Sequence, residues 1–284
     1  MSVDKASSMT RPLRAGVIGL GVGEQHVIAY NADPHTTTYA ICDLDETRAQ
    51  ACAKDHNITK IYTQAEDLLC DDTLDVVSIC SYDEFHADQV VMALENGKHV
   101  MVEKPVALHR HELERIIAAY QAQDLLLTSN LILRRSPRFI ALKTLVTNGY
   151  FGNIFAIEGD YLHQILWKIT QGWRGKMPFY CVTYGGGIHL IDLMRWLLGQ
   201  EVVSVQAMGS DKICRDTSFP YPDCMINLLE FADGVLGKSM TSFAPKRPHL
   251  HRLNIFGTKA VYENGNNDAH LYADDDTVAP IRDK

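Results

Sequence analysis

The 284-residue sequence has no C-x-x-C pair, no H-E-x-x-H, no run of Lys or Arg, and no apolar stretch long enough to cross a bilayer. Each absence removes a class of function. The seven cysteines (Cys42, Cys52, Cys70, Cys80, Cys181, Cys214 and Cys224) are odd in number and scattered, so neither a disulfide framework nor a zinc knuckle is expected. Reduced, mostly buried thiols and a cytoplasmic location are the expectation. Twelve histidines invite a metal, but without ligand spacing no metal site is expected. Lys plus Arg numbers 27 against 35 Asp plus Glu, a formal charge of −8. That balance argues against duplex nucleic acid and anionic membrane as partners. No charged-then-apolar leader opens the chain, so neither secretion nor a membrane span is expected.

What remains is an ordinary globular composition, 46% hydrophobic and 22% charged, on a chain long enough to bury a core without staples. Behind a polar tail (1–11), residues 12–128 alternate short apolar runs with amphipathic stretches. Strands are read at 14–20, 39–42, 75–80 and 99–103, with helices at 25–31, 46–56, 65–69, 86–96 and 110–120. Continuous apolar strands separated by helices predict a doubly wound parallel sheet covered on both faces. Residues 129–284 read differently. Helices at 137–147 and 186–198 flank a strand at 154–161, and strands at 202–208, 225–231, 235–242 and 253–256 follow without intervening helices. The fold class is therefore α/β, with an open, mostly antiparallel sheet in a second α+β domain.

Gly19-Leu-Gly-Val-Gly23 joins the first strand to the first helix. Glycines there let a pyrophosphate approach the backbone amides and the positive end of the helix, as in the dinucleotide-binding Rossmann unit. Gly19, Gly21 and Gly23 are the cofactor-cradle candidates. Asp43 closes the second strand 24 positions after the first glycine, near the spacing of a ribose-binding carboxylate. An acid there favours NAD over NADP, and Leu44 rather than Arg follows it. Asp43 also reads as a solvated loop acid or a helix cap. Further on, the 99–103 strand ends in Glu103-Lys104-Pro105. Carboxyl ends of parallel strands face the ligand, so Lys104 is a candidate proton shuttle for a reacting hydroxyl, provided desolvation or nearby charge lowers its pKa. It also reads as an exposed lysine paired with Glu103.

The glycine turn, Asp43, Ser81-Tyr-Asp-Glu-Phe-His86 and Glu103-Lys104-Pro105 together resemble the Gfo/Idh/MocA oxidoreductases, the glucose–fructose oxidoreductase and inositol dehydrogenase superfamily. The likeness continues through Gly185-Gly-Gly-Ile-His189-Leu-Ile-Asp192 to Trp196-Leu-Leu-Gly199 and Phe256-Gly-Thr-Lys259. The resemblance implies a Rossmann domain followed by an open antiparallel sheet that supplies a homodimer or homotetramer face. It implies NAD as cofactor, with NADP second, and a small sugar-like substrate. It adds Ser81, His86, Glu103 and Lys104 to the cofactor-binding set, places Asn130 near the substrate, and makes His189 the partner of Lys104 in proton transfer.

Three departures stand out. The glycine loop is one residue shorter than the family's G-x-G-x-x-G, Tyr82 replaces a common proline, and Gly185 stands where many members carry an Asp four residues before the histidine. Proton transfer then falls to Lys104 and His189, or to them with another acid such as Asp192 or Asp160. Asp192 lies one turn after His189 and reads equally as a substrate ligand or as the orienter of His189 or an arginine. Tyr161, Trp173 and Arg174 belong to an aromatic and basic segment suited to a polyhydroxylated or phosphorylated ring, or to plain packing. The leading expectation is hydride transfer between nicotinamide and a sugar or polyol. A non-catalytic NAD(P)-binding sensor and a redox-neutral lyase or glycosidase are the alternatives on the same scaffold.

Overall fold

The computed structural model describes residues 11–264, 268–273 and 279–281. The polar tail read at 1–11 lies outside them except for Arg11. The chain divides into two compact units, 1–130 and 131–284.

The first unit runs β1 (Leu13–Ile18), α1 (Gly23–Ala32), β2 (Thr36–Cys42), α2 (Glu46–His56), β3 (Lys60–Tyr62), α3 (Ala65–Leu69), β4 (Val76–Ile79), α4 (His86–Glu95), β5 (His99–Val102), α5 (Arg110–Gln121) and β6 (Leu127–Ser129). Its six strands lie in the order β3-β2-β1-β4-β5-β6, all parallel. Neighbouring strand residues feed opposite faces. Val17 and Ile41 pack with Val27, Ala49 and Cys52 of the first two helices. Ile18 and Cys42 pack with Leu68, Leu69, Val90 and Leu94 on the other side. Strand order reverses between β1 and β4, which opens the crevice at their carboxyl ends where ligands bind. Helix α2 has clear stop signs: Asp45 accepts a hydrogen bond from the Arg48 amide at the start, and Asn57 turns left-handed (φ 56°) at the end.

In the second unit, α6 (Pro137–Thr147) precedes β7 (Ile154–Leu162), a single turn α7 (Trp167–Thr170), α8 (Ile188–Leu198), and then β8 (Val202–Ser210), β9 (Cys224–Phe231), β10 (Leu236–Ser242), β11 (Leu250–Gly257), β12 (Ala260–Asn264), β13 (Ala269–Ala273) and β14 (Ala279–Ile281). These strands form one sheet in the order β14-β13-β12-β11-β7-β10-β9-β8. Only the β7–β10 pair among them is parallel. Leu190, Leu193, Met194 and Leu197 of α8 are fully buried, and Gly199 (φ +68°) ends that helix.

Both sheets are larger than the periodicity suggests. β3 and β6 have three residues each, too few to display alternation, and β12 to β14 extend the second sheet past the last strand read from sequence. The seven thiols are free, and Cys42, Cys52, Cys80 and Cys214 are buried. Among the described residues, no helix is long and apolar enough to cross a membrane.

Candidate active site

The candidate residues fall into two constellations, one in each unit. At the glycine turn, Gly19 has φ +81°, and a Cβ there would overlap the Cys80 carbonyl. Only glycine fits that turn. Nothing lies within 4 Å of a Cβ built on Gly21, so this side of the loop is open. Gly23 starts α1 against Val17 and Cys80, where a Cβ would stand 3.0 and 3.2 Å from their side chains. The shortened loop thus retains a glycine for close helix–strand packing. Val22 caps α1 without a side-chain hydrogen bond, so no side chain competes for the helix's first amides, as an incoming anion requires.

Asp43 accepts the Leu20 amide at 2.7 Å through Oδ2 and the Asp45 amide at 2.8 Å through Oδ1. It therefore clamps the glycine turn to the start of α2, and its remaining lone pairs can still accept hydroxyl donors. The Arg48 guanidinium, a neighbour that the sequence reading missed, lies 3.8 Å from Oδ2. Ser81 donates its hydroxyl to Gln89 at 2.7 Å. His86 is fully buried. Its Nδ1 lies 2.7 Å from the Pro105 carbonyl and its Nε2 3.2 Å from that of Ser81. The ring therefore ties the Ser81 loop to the Lys104-Pro105 segment, and its reach toward a ligand is through those two segments.

Glu103 is the hub of a buried polar network. Its Oε1 accepts from Asn130 Nδ2 at 2.6 Å and lies 3.5 Å from His26 Nε2, while the Lys104 amide reaches Oε2 at 3.3 Å. His26 Nδ1 sits 3.1 Å from Ser78 Oγ, which also meets the Tyr30 hydroxyl at 2.9 Å. Burial alone would push the Glu103 carboxyl up. The hydrogen bonds from His26 and Asn130, with the charge of Lys104, outweigh it and hold the carboxyl down at about 2. Asn130 lies in this unit, bonded to Glu103. Lys104 follows β5 directly after this anchored glutamate.

In the second unit, a π-helical turn (Thr183–Gly187) leads into α8 and delivers His189. The three glycines are steric requirements. A Cβ on Gly185 would overlap the Tyr180 hydroxyl, one on Gly186 would stand 2.6 Å from the Tyr161 ring, and one on Gly187 would overlap Thr241 Oγ1. Tyr180 thus fills the space beside position 185, so no side chain can stand there without rearrangement. Tyr161, on β7, stacks on His189 (centroids 6.3 Å apart, 21° between planes) and meets His251 edge-on at 5.1 Å. His251 in turn stands edge-on to His189 at 5.9 Å, and His249 stacks on His163 at 3.9 Å. Burial pushes the Tyr161 hydroxyl up to about 12 against the opposing charge of Arg174. Burial, helped by neighbouring histidines and by Lys168 or Arg138, holds His249 down at about 4 and His251 at about 3. Arg174 stacks on Trp173 at 4.1 Å. Its charge and burial lower Lys168, burial being the larger cause.

The sequence reading missed His249 and His251. The usable signal was register: His251 pairs with Tyr161 across β11 and β7, and side chains directly opposite share a face. The alternative acids are already engaged. Asp192 receives Arg134 through two bonds, 2.7 and 2.5 Å, so it orients an arginine. Asp160 pairs with Arg252 and, at 3.2 Å, with Lys238.

Comparison with known proteins follows the same division. Residues 13–131 match a family model described as an oxidoreductase family with an NAD-binding Rossmann fold, and residues 139–263 match the GFO/IDH/MocA C-terminal domain. The chain is 31% identical over 263 residues to the uncharacterized oxidoreductase YrbE of Bacillus subtilis strain 168, covering 88% of this chain and 73% of that protein. It is 28% identical over 255 residues to myo-inositol 2-dehydrogenase of Thermotoga maritima, covering 87% and 73%. By fold it is similar to myo-inositol 2-dehydrogenase from Lactobacillus plantarum (TM-score 0.85, 22% identity, 96% of this chain and 83% of the other). It is equally similar to levoglucosan dehydrogenase in complex with NADH and levoglucosan (TM-score 0.85, 22% identity, 96% and 80%).

Proposed function

The chain belongs to the Gfo/Idh/MocA oxidoreductase family, and from that premise we propose that it is an NAD-dependent dehydrogenase acting on a CH–OH group of a sugar, polyol or related compound. The observation that carries the proposal is the Asp43 carboxylate fixed at 2.7 Å to the Leu20 amide, beside a turn whose Gly21 faces open space. An anionic anchor and an uncapped helix end side by side suit a ribose hydroxyl and a pyrophosphate respectively. The amides of 19–24 would hold the pyrophosphate, Asp43 the ribose, and the Ser81 and Glu103 segments the nicotinamide end. When bound, that cofactor supplies the carbon that accepts or returns hydride. Lys104 Nζ takes the proton of the reacting hydroxyl, and the His189 imidazole is the second proton-exchanging group. Tyr161, Trp173 and Arg174 supply aromatic faces and donors for a polyhydroxylated ring. Asp43 favours NAD. Arg48, at 3.8 Å from it, is the residue through which NADP would gain if the preference were weaker.

The reading extends to assembly through the second sheet. Met208, Ile226 and Leu228, which the β8–β9 register places on one face of the sheet, are all exposed, and an apolar sheet face of this kind suits a second copy of the chain. Light scattering on the purified protein tests this, and a monomer at micromolar concentration overturns it.

The catalytic proposal is tested by screening sugars and polyols with NAD and NADP, wild type beside Lys104→Ala. Turnover with NAD, lost by about 10²–10⁴-fold in the variant with cofactor affinity retained, is the expected result. A second reading, an NAD-binding sensor without turnover, draws on the engagement of Asp160 and Asp192 by cations and on the closure of position 185 by Tyr180. Tight NAD binding with no turnover of any substrate selects that reading, and tighter NADP than NAD binding sinks the role given to Asp43.

A further inference from the structure

Beside the glycine turn, three side chains of different donor chemistry meet between the first two helices. Cys52 and His56 stand four apart on α2 and so share one face of it. Glu24, from the first turn of α1, reaches across so that its Oε1 lies 3.2 Å from His56 Nε2. The Cys52 sulfur, a His56 ring nitrogen and a Glu24 carboxylate oxygen all lie within 4.8 Å of one another, and this is the one such group among the described residues. Spacing along the chain could not reveal it, because the third donor comes from a different helix 28 positions before the cysteine.

We propose that Glu24, Cys52 and His56 form a binding site for a borderline-soft divalent cation of the zinc type. One sulfur, one imidazole nitrogen and one carboxylate oxygen are the donors zinc selects, and calcium or magnesium would not choose a thiolate. Zinc bond lengths of about 2.0–2.3 Å imply donors about 3.3–3.6 Å apart in a tetrahedral site. The Glu24–His56 pair, at 3.2 Å, is already close to that separation, and side-chain rotation would bring the sulfur in. Burial first, and then the charges of Glu24, Asp55 and Asp43, push the Cys52 thiol up to about 11; the same negative charges attract a cation, whose binding must displace the thiol proton. Access is available, because the Glu24 side chain is 43% exposed and that of His56 19%, while the cysteine forms the floor at 3%. Three protein donors leave the fourth position to water. Binding releases the Cys52 thiol proton to solvent and leaves a thiolate–metal bond, with no change of oxidation state. The ion would tie the first turn of α1, immediately after the glycine turn, to the last turn of α2.

The test uses the full-length chain, reduced and freed of metal with a chelator that is then removed. Zn²⁺ is titrated by calorimetry, and Co²⁺ is titrated in parallel while thiolate-to-cobalt charge-transfer absorption is recorded. The expected result is one thiolate-ligated ion per chain, with the cobalt band absent from Cys52→Ala and zinc affinity lower by on the order of 100-fold there and in His56→Ala, with a smaller loss in Glu24→Gln. Circular dichroism confirms folding of each variant, and Cys52→Ser replaces Cys52→Ala if the latter fails to fold. No thiolate band in the wild type, a band that survives loss of Cys52, or unchanged zinc affinity in both the Cys52 and His56 variants overturns the proposal. Zinc bound only at the surface histidines gives calorimetric heat without the band and counts against it equally.

Discussion

Glu103 in the first unit and His251 in the second are both largely withdrawn from water, yet one is held charged and the other neutral. Glu103 is met by donors: Asn130 at 2.6 Å, His26 at 3.5 Å and the Lys104 amide at 3.3 Å. Those donors favour the ionised form strongly enough to overcome burial. His251 is met by aromatic edges and by other histidines, so burial and like charge both oppose protonation. Burial by itself therefore does not determine ionisation here; the groups aimed at the site do. The first unit holds a fixed negative charge beside Lys104, whereas the second places neutral rings beside His189.

The comparison can be broken at Glu103 first, where the largest effect is expected. Glu103→Ala strands His26 and Asn130 and should cost about 3 kcal/mol in urea denaturation; Glu103→Gln, which keeps a hydrogen-bonding partner, should cost less. A loss below about 1 kcal/mol for the alanine variant would show that the network is not a unit. Next comes the close approach at Gly186, where a Cβ would stand 2.6 Å from Tyr161. Gly186→Ala should cost about 1–3 kcal/mol by overpacking, and part of that should return when Tyr161→Leu is added. Additive losses in the double variant would mean that the ring is not what the glycine accommodates.

Acid sharpens the contrast through two windows. His249 and His251 titrate at about 4 and 3 when folded, but near 6.5 when unfolded. Below 6.5 the unfolded chain binds more protons, so this contribution is complete above 6.5 and is lost as pH falls toward 3. Glu103, at about 2 when folded, contributes fully above its unfolded value of about 4.3 and loses that contribution toward pH 2. The melting temperature should therefore fall from pH 6.5 downward, and His251→Gln should flatten the upper part of the curve while Glu103→Gln flattens the lower part. A wild-type melting temperature constant between pH 6.5 and 4.5 contradicts the neutral-cluster reading. The smallest effect belongs to Arg48. It is half exposed and 3.8 Å from Asp43, so Arg48→Ala should change stability by under about 1 kcal/mol; a larger loss would mean that Asp43 depends on it.

How much of this was legible depended on how local the signal was. Helix α2 was read at 46–56, as observed, because its cap, amphipathic face and left-handed stop all lie within a dozen residues. The parallel first sheet followed from apolar runs such as Val76–Ile79, whose four residues carry the pattern alone. The Glu103 network was not visible, since His26, Ser78 and Asn130 join it from β-strand ends and a helix far apart in sequence. Arg134 likewise reaches Asp192 across 58 positions, which is why Asp192 remained open between two roles. The glycines at 185–187 stand out in the sequence, but the reason for them lies outside the segment: Tyr180, Tyr161 and Thr241 occupy the space that side chains would need.

The parallel pairing of β7 with β10 has a kinetic consequence. Ala156 pairs with Leu236 and Leu162 with Ser242, each 80 positions away, and the chain between them carries α8, His189, β8 and β9. Closing a loop of that length costs about 4 kcal/mol of chain entropy before its first contact forms, and topologies rich in such contacts fold slowly. Tyr161 and His251, paired across β7 and β11, face a closure cost of the same kind, so refolding followed by Tyr161 burial should lag behind the formation of helices.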